Sequence, residues 1–143
     1  MPSSWGVTPR ASVESECERT GRDSVVRKCM DILSGRPVDG AFLYVIGGPA
    51  ATTILEDREG GVDGYWPRTW AVRALLYAWQ DSAIPAVLAA TSDESWRVRE
   101  MAAKVVARHQ VDSALESIAQ LVRDEHPRVS AAATRALQRL TRS

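Results

Sequence analysis

The sequence predicts an all-α solenoid of stacked antiparallel helix pairs, and three observations carry that expectation. The second half of the chain repeats with a period of 31 residues, its apolar residues fall at helical spacing, and its interior is built from small aliphatic residues. The chain has 143 residues and 45% hydrophobic content with a single Phe. An Ala/Val/Leu-rich helical core follows, and a chain of this length buries it without metal or disulfide staples.

Residues 1–22 carry Pro2, Ser3, Ser4, Gly6, Pro9, Ser12 and Ser15 with almost nothing to bury, which predicts a flexible N-terminal arm. A helical repeat domain is expected over 23–143. Its first part, 23–57, reads as a degenerate unit. Val25, Val26, Cys29, Met30, Ile32 and Leu33 form an amphipathic helix behind Asp23 or Ser24 as cap, ended by Gly35 and Pro37. Ala41 to Ile46 is an apolar run halted by Gly47-Gly48, and Pro49 suits the first turn of a second helix, Ala50 to Glu56. The stretch 57–64, with Gly60, Gly61 and Gly64, predicts a surface loop.

Three repeats are expected at 66–95, 96–126 and 127–143. Arg73-Ala74-Leu75 recurs as Lys104-Val105-Val106 and as Arg135-Ala136-Leu137, and Ala71 recurs as Ala102 and Ala133. Asp81-Ser82-Ala83-Ile84 recurs as Asp112-Ser113-Ala114-Leu115, and Asp93-Glu94 as Asp124-Glu125. Val98, Met101, Ala102, Val105 and Val106 form one helical face; Ala114, Leu115, Ile118, Leu121 and Val122 form a second, with Asp112 or Ser113 as the cap between them. A lone hairpin cannot bury both faces, so the units must stack. The final unit shows only its first helix, leaving Val129, Ala133, Ala136, Leu137 and Leu140 as an apolar strip for weak self-association or a partner.

The segment Asp93 to Val106 and its echo Asp124 to Leu137 resemble the HEAT repeat, in particular the short type of phycobilisome-lyase-like proteins. The resemblance implies a right-handed superhelix of about three and a half units whose second helices line the inner surface. It also implies a scaffold that grips another macromolecule. An accessory role to a cofactor-handling or modifying enzyme is the alternative it offers. A nucleic-acid binder of the HEAT-like DNA glycosylase kind fits less well, because the inner positions lack cations.

Charge narrows the partner class. The chain balances 18 basic against 18 acidic residues, so any polyanion binding needs a local patch. Residues 66–143 hold 11 basic and 8 acidic side chains, a mild bias, and a phosphate-binding stripe requires cations facing outward together and free of carboxylates. Arg97, Arg99, Lys104 and Arg108 share one helix, but Glu100 sits among them. The charged ladders, Asp93 with Asp124, Arg68 with Arg99, and Arg73 with Lys104 and Arg135, read as structural: an Asp in one inter-repeat turn caps a helix and reaches a base in the next unit. Nucleic acid is therefore disfavoured as partner, and a protein or peptide favoured.

The candidate partner-binding residues are Pro85 and Ala89 on one second helix, Glu116, Ser117 and Gln120 on the next, and the aromatics Tyr77 and Trp79, which align with polar Arg108 and Gln110. Trp70 aligns with Met101 and Ala132 and is expected in the core. No catalytic, cofactor-binding or metal-ligating set is expected. His109 and His126 are 17 apart without a partner in spacing, Gly47-Gly48-Pro49 lacks the strand and Lys of a phosphate loop, and Cys17 and Cys29 read as reduced thiols. No run of about 18 apolar residues exists, and Met1 to Arg10 shows no secretory pattern, so a cytoplasmic protein without a membrane span is expected.

Overall fold

Pro9 opens the first helix at a position where its missing N–H costs no hydrogen bond, and the Thr8 hydroxyl accepts from the amide of Ala11. The computed structural model describes residues 6–37, 39–57 and 64–142, which divide into two compact units, 1–80 and 81–143. All regular structure among the described residues is helical.

In the first unit, α1 (Pro9–Thr20), α2 (Arg22–Leu33), α3 (Gly40–Gly47), α4 (Ala50–Asp57) and α5 (Tyr65–Ala74) follow one another. The expected flexible arm is overturned over its described part: α1 packs on α2 and α3, and Val13 is only 1% exposed. One buried apolar side chain is too weak a signal in sequence, and a polar contact completes the docking. The Ser12 hydroxyl donates to the Val45 carbonyl of α3 at 2.7 Å, while the buried Glu16 is satisfied within α1 by Arg19, which donates to it at 2.7 Å. Residues 1–5 of that arm, and most of the glycine-rich loop at 58–63, lie outside the described residues.

The α2 cap also differs. Gly21, at φ 96°, separates α1 from α2 and takes the place expected of Asp23 or Ser24; no side chain caps the helix. Asp23 instead accepts a hydrogen bond from the Gln80 amide. The α3–α4 hairpin forms as the apolar run and Pro49 predict. Gly48 turns it at φ 68° and ψ −154°, a conformation essentially restricted to glycine. Gly47 allows a close approach: a Cβ built there would run into Cε3 of the Trp70 ring. Trp70 is buried, as its register predicts. Arg73 donates to the Ile46 carbonyl at 2.6 Å, satisfying the C-terminal end of α3, and its burial pushes the guanidinium pKa below its ordinary value.

In the second unit, α6 (Ile84–Ala90), α7 (Trp96–His109), α8 (Leu115–Leu121) and α9 (Pro127–Thr141) form the repeat pattern, with 3-10 turns at Asp81–Ala83 and Asp112–Ala114 before the two second helices. α7 packs on α6 and α9, and α8 packs on α9. Val98, Ala102, Ala103, Val105 and Val106 make the buried face of α7. Gln110, left-handed at φ 49°, ends that helix with its N–H on the Val106 carbonyl. The 3-10 turn, rather than an Asp112 or Ser113 side-chain cap, starts α8, and the altered phase turns Leu115 outward while Ala114, Ile118 and Leu121 stay buried. The apolar strip expected on α9 is smaller than predicted: α7 and α8 bury Val129, Ala133 and Ala136, leaving only Leu137 and Leu140 half-buried. The division between the two compact units falls between Gln80 and Asp81, inside the first expected repeat, 66–95.

Candidate functional site

The inter-repeat turns of the second unit are built alike. The Asp93 carboxylate accepts the Ser95 amide and the Asp124 carboxylate the His126 amide, each at 2.9 Å, so each Asp shapes the turn that starts the next first helix. Arg99 joins the two turns. Its guanidinium reaches Asp124 and also donates to the Asp93 carbonyl at 2.9 Å. The turn-shaping part of the expected Asp ladder is met, but the base that Asp124 reaches, Arg99, belongs to its own expected repeat, 96–126, and not to the next one. Burial opposes the charge on Asp124, but the hydrogen bond from Arg99 and the His126 amide prevail, holding its carboxyl below the usual aspartate pKa. Arg68 makes the related local contact, Nη1 to the Gly64 carbonyl at 3.1 Å.

The ladder of Arg73, Lys104 and Arg135 does not act as one device. Arg73 serves the end of α3, Lys104 pairs with Glu100 at 3.5 Å, and Arg135 is exposed. Identical register leads to different partners because the neighbouring elements differ.

His126 is structural: its Nδ1 accepts the Arg128 amide at the start of α9, and its ring lies parallel to Trp96 with centroids 3.8 Å apart. In the first unit, Tyr65, Trp66 and Trp70 form a run of neighbouring rings at 5.1 and 6.0 Å. Cys29 is buried, which pushes its thiol pKa up and leaves it a poor nucleophile; burial also raises Cys17.

Pro85 and Ala89 on α6, and Glu116 and Gln120 on α8, are exposed at matching register positions, with Ser117 half-buried beside them. Leu115, unforeseen in sequence because the 3-10 turn shifts its phase, is 43% exposed at the start of α8. Tyr77 and Trp79 are half-buried and belong to the first unit. No group of three or more His, Cys, Asp or Glu side chains poised for a metal occurs among the described residues.

Repeated helix pairs joined by turns that an Asp carboxylate braces define an α-helical repeat protein. A family model described as HEAT repeats matches residues 65–138, and the chain belongs to that family. A search of curated proteins and of solved structures finds no significant match.

Proposed function

We propose that this chain is a non-catalytic protein-interaction module that receives a protein helix or peptide on the exposed sides of its second helices, α6 and α8. The carrying observation is that Pro85 and Ala89 recur as Glu116 and Gln120, all exposed, beside the outward Leu115. Such a surface is small-residued and nearly neutral, which suits an apolar-anchored peptide better than a phosphate backbone. Tyr77 and Trp79 contribute less, since both are half-buried. HEAT repeats commonly serve protein–protein contact, which agrees with this reading. The proposal sets the module in the cytoplasm, where the free thiols Cys17 and Cys29 stay reduced. Weak self-association through Leu137 and Leu140 of α9 belongs to the same proposal.

Site-specific photo-crosslinkers at Ala89 and Gln120, with a control at exposed Glu18 of α1, test it. The same partner adduct from the first two positions, lost in a Leu115→Glu background, supports the surface. Equal adducts at all three positions overturn it. Light scattering on the wild type and Leu140→Glu checks self-association: a lower average mass for the variant is expected, and equal monomer masses remove α9 as an interface.

A further inference from the structure

α7 and α9 are first helices of consecutive repeats and pack directly on each other. At the 31-residue register both carry cations at the same three positions: Arg97 with Arg128, Lys104 with Arg135, and Arg108 with Arg139. Packing sets the three pairs in two neighbouring rows. Two contacts tie the rows together at one end. The guanidiniums of Arg97 and Arg128 lie 4.5 and 5.3 Å from the centroid of the Trp96 ring, and Glu100 of α7 meets Arg128 Nε at 3.1 Å and Lys104 Nζ at 3.5 Å.

Glu100 is the sole carboxylate in either helix, and its side chain is only 10% exposed against 63% for Arg128. It lies beneath the cations and does not interrupt them. Arg108, Arg135 and Arg139 are exposed and have no ion-pair partner among the described residues. Exposed Arg108, Arg135 and Arg139, beside Lys104 and Arg128 that share one buried carboxylate, form a local positive field on a unit whose totals, 9 basic and 8 acidic residues, nearly cancel.

The size and limits of this field select the ligand. Each row runs about 16 Å at the helical rise, and packed helices lie about 8–10 Å apart. An extended segment of about five residues spans the row. At the N-terminal ends of α7 and α9 the exposed Glu94 and Glu125 close the patch, again at matching register. A long polyanion such as nucleic acid would run onto those carboxylates; a short one would not. Five of the six cations are Arg, whose planar fork takes a carboxylate in two parallel hydrogen bonds. We infer that the exposed face of α7 and α9 docks a short segment of a partner protein rich in Glu or Asp. This surface is separate from the α6 and α8 reading and survives its failure.

Fluorescence anisotropy with a labelled glutamate-rich peptide, a single-stranded oligonucleotide and a DNA duplex, at low and at physiological ionic strength, tests the inference on the full chain. The peptide should bind the wild type, and Arg135→Glu/Arg139→Glu should weaken it about tenfold or more. Circular dichroism of that variant should match the wild type, since both side chains are exposed; Arg135→Gln/Arg139→Gln gives a second, milder version if it does not. Arg22→Glu/Arg27→Glu, the same charge change in the first unit, should leave the affinity unchanged, as should Leu115→Glu. No peptide binding, equal loss in both double charge reversals, or tighter binding of either nucleic acid at the same ionic strength overturns the inference.

Discussion

Arg99 of α7 and Asp124 of the following inter-repeat turn form a two-point ion pair, Nε to Oδ2 at 2.8 Å and Nη2 to Oδ1 at 3.2 Å. The side chains are 15% and 9% exposed, and the guanidinium also holds the Asp93 and Glu94 carbonyls. One arginine thereby clamps two successive turns in register.

Asp124→Asn removes the charge while keeping the shape, and should cost about 1.5–3 kcal/mol at neutral pH, read by urea unfolding. The folded pKa of Asp124 lies below its unfolded value, so this stabilisation is complete above about pH 4 and fades as pH falls through the folded value. The gap between wild type and variant should therefore close in acid. A gap that persists unchanged at low pH would show that the pair acts by packing alone.

Gly47→Ala forces a Cβ into the buried Trp70 ring and should destabilise the first unit by about 1–3 kcal/mol. Trp70→Leu removes the atoms in conflict. In thermal unfolding the double variant should lose less than the two single losses combined. Strict additivity would mean that the α3–α5 contact is looser than the structure shows.

Val13→Ala should cost about 2 kcal/mol, because the side chain is fully enclosed where α1 meets its neighbours. Deleting residues 1–20 should lower the melting temperature further. Unchanged melting of both would return this segment to the status of a free arm.

The repeats were legible because periodic spacing is a local property that survives stacking: Val98, Ala102, Val105 and Val106 are buried where their spacing puts them. Trp70 and the Asp93/Asp124 turns followed from register for the same reason. α1 was hidden because Val13 is its one buried apolar residue, and its docking depends on Ser12 reaching a carbonyl 33 positions away. Leu115 and the missing Asp112 cap trace to a 3-10 turn, whose phase the helical period does not anticipate.

Of the candidate surface, Pro85, Ala89, Glu116 and Gln120 emerged where expected, while Tyr77 and Trp79 are half covered. The two cation rows escaped notice for a plainer reason. Read along one helix, Glu100 breaks the series; only the packing of α9 on α7 brings Arg128 over that carboxylate and Arg135 and Arg139 alongside. Juxtaposition between helices belongs to the fold, not to the string.

The parallel stack of Trp96 on His126 has an optical consequence. Trp96 is the second unit's sole tryptophan, and contact with imidazole quenches indole emission. Emission from this ring is dimmed while the turn into α9 is closed and brightens when it opens. The other tryptophans, Trp5, Trp66, Trp70 and Trp79, all precede residue 81 in the sequence. Selective replacement of those four turns Trp96 into a built-in gauge of the second unit's melting, readable without any added label.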